Sequence, residues 1–247
     1  MKKIEFFSTI QGVAGAFPII PAKDHMPKWV PDCRDNYKQK LAMLNGTRST
    51  HTYRCPGIFD ILRTGYYVTL PWDLTIETRG DGQNFKWIVP DSELAELMAP
   101  IPLVLAHSAA GANLPNPPGS MQGLVKINTP WNVKLPKGVK LMMLPLSYTD
   151  VFEYAHVPGI LDPGFSTELS LMLRWFKLSG TYTIKAGTPL CHLIPITAEN
   201  LELECRDAND WDRLWVQKKR YLNNMSFFVL RNKIKEAYNK HWGGNGS

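Results

Sequence analysis

The stretch from Gly159 to Pro195, GILDPGFSTELSLMLRWFKLSGTYTIKAGTPLCHLIP, constrains this chain more than any other. Asp162, Pro163 and Gly164 are turn residues, and the aromatic Phe165 follows at once. Residues Glu168 to Leu173 make a strand-like run, and Thr181 to Ile184 alternate cleanly. Gly187 and Pro189 then punctuate before the apolar run Leu190 to Ile196. The order is a tight turn or bulge carrying an acid, a strand, a hairpin and a second strand.

Upstream, Thr129 to Ser147 reads TPWNVKLPKGVKLMMLPLS. That is a strand, a Pro-Lys-Gly turn and an apolar strand ending in Pro-Leu-Ser. Residues Val125 to Pro195 are therefore expected to form one contiguous β unit, with Asp162 to Phe165 at a turn and Phe165 at least half buried.

These pieces, Pro136–Gly138, Ser147, Gly159–Phe165 and Gly187–Leu193, resemble the motifs of the dUTPase and dCTP-deaminase superfamily. The likeness covers roughly a quarter of the chain. It implies a β-clip scaffold, trimeric assembly, and a nucleotide or similar small anion as ligand, with Mg2+ as the accompanying ion. By the same resemblance Asp162 orients or activates water, Phe165 packs under a base, and Ser147 holds a phosphate. His192 stands at a ligand-side position where the family has Gln. The chain departs from the pattern in other places too. Leu146 replaces the phosphate-facing Arg, Tyr148 replaces a small residue, and Arg174 or Trp175 stands where the family has Asn. The implied parent chemistry is therefore lost. The terminal Gly243–Ser247 is similar to the Gly-rich phosphate arm of dUTPases and equally to a tag remnant. Over its whole length the chain also resembles a family of phage and bacterial proteins to which no activity is attached. The carriers are Cys55–Pro71, Asn128–Trp131 and Gly187–Leu190.

Strands dominate the middle of the chain and helices its end. The expected fold is mainly β, with a β-clip or barrel-like core and flanking helices, α+β overall. A cupin-like double-stranded β-helix is the alternative. One β-rich domain is expected over 1–205, with a loop-rich N-terminal segment, and a basic amphipathic helical tail over 206–247 packed on it. Short helices are expected at Asp35–Leu44, ended by Asn45-Gly46, at Cys55–Leu62 with Gly65 as stop, and at Ser92–Met98. Strands are expected at Tyr66–Leu70, Leu74–Thr78, Asn84–Val89 and Leu103–His107. Ser108 to Gln122 reads as a loop rich in Gly, Pro and Asn.

Composition excludes several classes. No apolar run approaches the roughly 20 residues needed to cross a bilayer. The N-terminus reads as a first strand followed by a Pro-rich loop rather than a signal peptide. Cys33, Cys55, Cys191 and Cys205 form no CxxC pair, so reduced thiols in a cytoplasmic setting (the host's, if phage-encoded) are expected. The formal net charge is +6, and the segment 206–247 carries most of it, nine Lys/Arg against four Asp/Glu. That tail admits two readings. Either Trp211, Trp215 and Phe228 dock inward while Lys218, Lys219, Lys233 and Lys235 stay in solvent, or the tail neutralises nucleic-acid phosphates.

Each candidate residue also has a plain structural reading. Asp162 can simply close its own turn. Ser147 can sit in a strand-end turn, and Asp73, in Pro-Trp-Asp-Leu, can be a turn acid rather than a metal ligand. His107, His156 and His192 are the strand-associated histidines. No His-x-Asp or His-x-Glu occurs, so the iron site of an oxygenase has no ligand pair, and no metal site is expected; a site built from these three histidines is the alternative. No nucleophile elbow or P-loop occurs either. Three functions remain open. They are a phage-type accessory protein on a dUTPase-like scaffold, a non-enzymatic assembly or partner-binding protein, and a metal-dependent cupin enzyme.

Overall fold

The computed structural model describes residues 2–43, 51–89, 102–107, 114–164 and 166–221. The expected helix at Ser92–Met98, the Asn45-Gly46 stop, the aromatic Phe165 and the tail beyond Tyr221 lie outside the described residues. The chain is mainly β with flanking helices. Among the described residues its strands form three sheets, none of them closed on itself.

The largest sheet has the order β14-β1-β7-β11-β9, with β6 also on β7. Its strands are β1 (Lys2–Ser8), β6 (Val104–His107), β7 (Leu124–Lys134), β9 (Tyr154–His156), β11 (Glu168–Trp175) and β14 (Leu201–Asp207). The second sheet orders β10-β8-β13-β3-β2, from β2 (Ile20–Pro21), β3 (Tyr66–Thr69), β8 (Leu141–Leu144), β10 (Gly159–Leu161) and β13 (Pro189–Pro195). The third is β12-β4-β5, from β4 (Leu74–Arg79), β5 (Phe85–Ile88) and β12 (Ser179–Ile184). The expected strands between Val125 and Pro195 form, but the expectation of one contiguous unit with a hairpin is corrected: β11, β12 and β13 do not pair with one another and each lies in a different sheet.

The pattern of β11 shows why the sequence folds this way. Leu169, Leu171, Leu173 and Trp175 are buried, while the residues between them lie nearer solvent. That is the period-2 pattern of a sheet with one face on a core. The core runs through all three sheets, from Phe6 on β1 to Ile76 on β4 and Leu193 on β13.

Pro130 interrupts β7, and the chain compensates locally. Glu168 pairs Asn132 but Ser170 pairs Asn128, so β7 bulges opposite Leu169. The Thr129 hydroxyl donates to the Leu169 carbonyl at 2.7 Å and accepts from the Trp131 amide at 3.3 Å. The Pro130 carbonyl accepts from the Thr9 amide at 2.9 Å. Buried Asn128 donates to the Pro102 carbonyl and accepts from Ser170. The Asn-Thr-Pro-Trp segment is therefore a hydrogen-bonded structural bulge.

Helix α1 (Val13–Ala16) is a single turn. Helix α2 (Trp29–Met43) begins six residues earlier than expected, because Pro31 falls in its first turn, where a missing N–H costs nothing. It buries no residue and is held by ring contacts, Trp29 to Phe59 and Tyr37 to Tyr53. Helix α3 (Pro56–Arg63) turns Phe59 and Leu62 inward. Gly65 follows with φ +80, and a Cβ there would meet the Leu193 carbonyl oxygen at 2.1 Å, so only glycine fits.

The pairing of β14 with β1 was not foreseen. The two run parallel, Lys2 beside Leu201 through Ser8 beside Asp207. Helix α4 follows over 210–221. Asn209 and Asp212 cap its start reciprocally, each side chain accepting from the other's amide. Asp212 is buried and pairs with Lys134 and Arg206, while Glu5 completes the cluster. The expectation that Trp211 docks the tail is corrected, since Trp211 is 80% exposed. Trp215, the second aromatic expected to dock, does point inward, beside Val216 and onto Phe7 and Ala208.

Candidate functional site

A cavity of about 840 Å³ opens where four pieces of backbone meet. They are the β2–α2 connection, strand β3, the loop after β8, and the turn before β13. Each is fixed by its own bonds. The 185–189 turn needs Gly187 at φ +80 and is clamped by Asp73, whose carboxylate accepts from the Ala186 amide at 2.8 Å and from Lys185 Nζ at 2.7 Å. Asp73 is thus a turn acid, and the Lys185 ammonium holds its carboxyl below the ordinary range.

The opposite wall is the Leu146–Val151 loop. Here Tyr148 takes φ +56, the one positive value among described non-glycine residues. A side chain in this left-handed region costs energy and persists only where neighbours hold it. The holder is Trp29 at the start of α2. Its indole Nε1–H donates to the Tyr148 carbonyl at 2.9 Å, and the two rings meet edge to face at 6.2 Å. Thr149 makes the hydroxyl turn at this strand end, accepting from the Val151 amide at 3.1 Å. The Ser147 hydroxyl lines the cavity with no hydrogen bond among the described residues.

Tyr67 on β3 forms part of the floor, between His25 at 5.8 Å and His192 at 4.8 Å ring to ring. His192 is fully buried behind it. Its Nε2 lies 2.6 Å from the Thr64 carbonyl. A carbonyl only accepts, so Nε2 carries the proton, and Nδ1 has no partner among the described residues. Burial lowers the His192 pKa, and the residue is held neutral. It supports the floor through Tyr67 and does not line the cavity.

Charge in the lining is sparse. Lys28 stands against Asp32 and Asp150, so the lining carries more negative than positive charge. That offers little to a polyphosphate. The aromatic faces of Trp29, Tyr67 and Tyr148 and the Ser147 hydroxyl suit a flat, uncharged ring with polar edges.

Asp162 lies elsewhere. Leu161 pairs Leu141 at the start of β8, whereas Ser147 follows its far end, so within one chain the two are separated by the length of that strand. The Asp162 carboxylate accepts from the Gly164 amide at 2.8 Å and pairs with Lys140 at 3.0 Å. Lys140 and the Gly164 amide hold its pKa down, away from the neutral range a general base uses. Lys219 of α4 donates to the Gly164 carbonyl at 2.8 Å, and Arg220 bonds Glu168. The acid-bearing turn is a seat for the tail helix. Phe165, beside it, falls outside the described residues.

Of the sequence candidates, Ser147 lines the cavity, His192 supports it from behind and Asp162 stands apart. Sequence reasoning missed Trp29 and Tyr67. It noted Tyr148 only as a departure from the family motif. Among the described residues no three His, Cys, Asp or Glu side chains converge as a metal site, and His107, His156 and His192 sit on three different strands. Nor is any described helix long and apolar enough to cross a membrane. Compared with known proteins, the chain matches no protein-family model and no curated sequence.

Proposed function

We propose that this protein binds a small molecule in the cavity between α2 and the 146–151 loop, and that the ligand presents an uncharged flat ring of nucleoside type. The observation that carries this reading is Tyr148, held at a strained backbone angle by Trp29 over the mouth of the cavity. Strain maintained at a cavity rim presets the shape that a ligand meets. The ring system stacks among Trp29, Tyr148 and Tyr67, and the Ser147 hydroxyl bonds a ring edge. A nucleotide enters by its base, with its phosphates in solvent, because the lining has one lysine against two carboxylates. No chemistry on the ligand is proposed. Asp162, the one candidate base, is ion-paired and lies beside the start of β8, at the opposite end of that strand from Ser147. The resemblance to nucleotide enzymes supports the ligand class. The resemblance to the phage family supports an accessory role in the host cytoplasm, where nucleotides are abundant.

Calorimetric titration of the full chain with nucleosides and their triphosphates tests this. At least one nucleoside is expected to bind, with its triphosphate no tighter. Binding of triphosphates alone would contradict the reading.

A second reading rests on α4. Trp211, Leu214 and Tyr221 recur at helical spacing and are all exposed. A partner-docking role for this face predicts that replacing the three with Ser abolishes co-purification of a partner and leaves nucleoside binding intact.

A further inference from the structure

A smaller hollow of about 380 Å³ lies on the inner side of the same loop, against strands β9 and β13. Among the described residues its lining contains no Lys, Arg, Asp or Glu. It does contain two buried polar side chains that are unusually placed. His156 is 5% exposed, and neither of its ring nitrogens has a hydrogen-bond partner among the described residues. Tyr154, two residues away on the same face of β9, is 4% exposed, and its hydroxyl is also without a partner. Buried polar groups are nearly always satisfied, and an orphan of this kind calls for an explanation such as a ligand. Three orphan atoms against one hollow are hard to attribute to packing alone, since each forfeits its bonds to water on folding.

The surroundings narrow the ligand. Tyr154 is locked in place, stacked on Trp175 at 5.8 Å and 13° and edge-on to Tyr182 at 6.2 Å. Leu146, Phe152, Phe176 and Leu190 supply the remaining apolar surface. A charged ligand would have no counter-charge and would be excluded by the cost of desolvation. Neutral imidazole offers one donor and one acceptor, and the phenol offers both. We propose that this hollow is a second binding site, for a small uncharged aromatic molecule bearing a hydroxyl or a carboxamide that bonds His156 and Tyr154. The nitrogens are sealed from solvent in this arrangement, so the ligand reaches them by displacing the loop wall, whose Phe152 is 77% exposed. The site does not depend on the larger cavity, although the loop wall is common to both.

Phenol and benzamide serve as probes in titrations of the full-length protein. Each variant is first checked by thermal melting. Wild type is expected to bind at least one probe with a Kd in the millimolar range or tighter. H156L should weaken it at least about tenfold and Y154F by a smaller factor, as expected for the loss of buried hydrogen bonds. W87F, on β5 and in the lining of neither cavity, should leave it unchanged. A long-range nitrogen spectrum of the wild-type histidines supplies a readout that needs no variant, and the His156 pair must shift as the probe saturates. Absence of binding at about 10 mM probe, equal binding by H156L, or an unmoved His156 signal would each overturn the proposal.

Discussion

The indole of Trp29 donates a hydrogen bond to the carbonyl of Tyr148, and so helix α2 grips the one described non-glycine residue that adopts a left-handed backbone. The bond joins two segments 119 positions apart in sequence. It fixes the width of the larger cavity between them. The ring contact makes Tyr148 part of the wall as well as a strained hinge.

Strain and ring can be separated by two substitutions. Tyr148→Ala removes the ring and keeps the strain, whereas Tyr148→Gly removes both. The Gly variant should be more stable than the Ala variant by about 1 kcal/mol, measured by denaturant unfolding. Equal stabilities would mean that the backbone there is unstrained.

His156 is buried and uncharged, with its pKa pushed down to about 4 by desolvation. In the unfolded chain the imidazole titrates near 6.5. Between these values the unfolded state binds more protons, so stability is full above about pH 6.5 and falls as the pH drops towards 4. The loss from His156 alone is about 3 kcal/mol, and His192, shifted the same way, adds to it. H156L should flatten this part of the stability–pH curve. An unchanged slope in the variant would show that His156 is charged or exposed in the fold.

The tail helix is anchored by charge and packing at particular residues. Asp212 is buried between Lys134 and Arg206, and its carboxyl is held well below the usual range. Asp212→Ala should cost about 2 kcal/mol, because it leaves Lys134 and Arg206 with only Glu5 and Glu204 as partners and removes one half of the reciprocal helix cap. Trp211→Ala, on the exposed face, should change stability by less than about 0.5 kcal/mol. Thermal melts of the two variants decide this, and a reversed order would contradict the observed orientation of α4.

At the join of α3 and β3, Gly65→Ala should destabilise by more than about 3 kcal/mol. The added methyl collides with backbone rather than with a side chain that can move, and the φ of +80 is itself unfavourable for alanine. A folded variant with a near-native melting temperature would mean that β3 and β13 separate easily.

Much of this fold was legible because its strands carry local signals. The strand-like run of β11, the clean alternation of Thr181–Ile184 in β12, and the Pro136–Gly138 turn before β8 each state their structure within a few residues. The site was far less legible. Trp29, Tyr67 and Tyr148 come from three distant segments, and no local pattern marks them as neighbours. The pairing of β14 with β1 is hidden for the same reason, being a contact between residues about 200 apart. Asp162 shows the opposite failure. Its Asp-Pro-Gly motif is loud, but the loudness comes from turn chemistry, with its carboxylate spent on Gly164 and Lys140. At Pro130 the sequence showed a strand containing a proline, and only the register across Leu169 revealed the bulge.

The most direct test of the proposed binding site follows the Trp29 indole. Its Nε1–H signal in a proton–nitrogen spectrum, assigned by its absence in W29F, reports the bond to Tyr148 at the cavity wall. Titration with a panel of nucleosides should shift this signal in a saturable way, and a Ser147→Ala variant should require more ligand for the same shift. A Trp29 signal that stays fixed while a nucleoside binds, or a panel in which no nucleoside binds, would contradict the account.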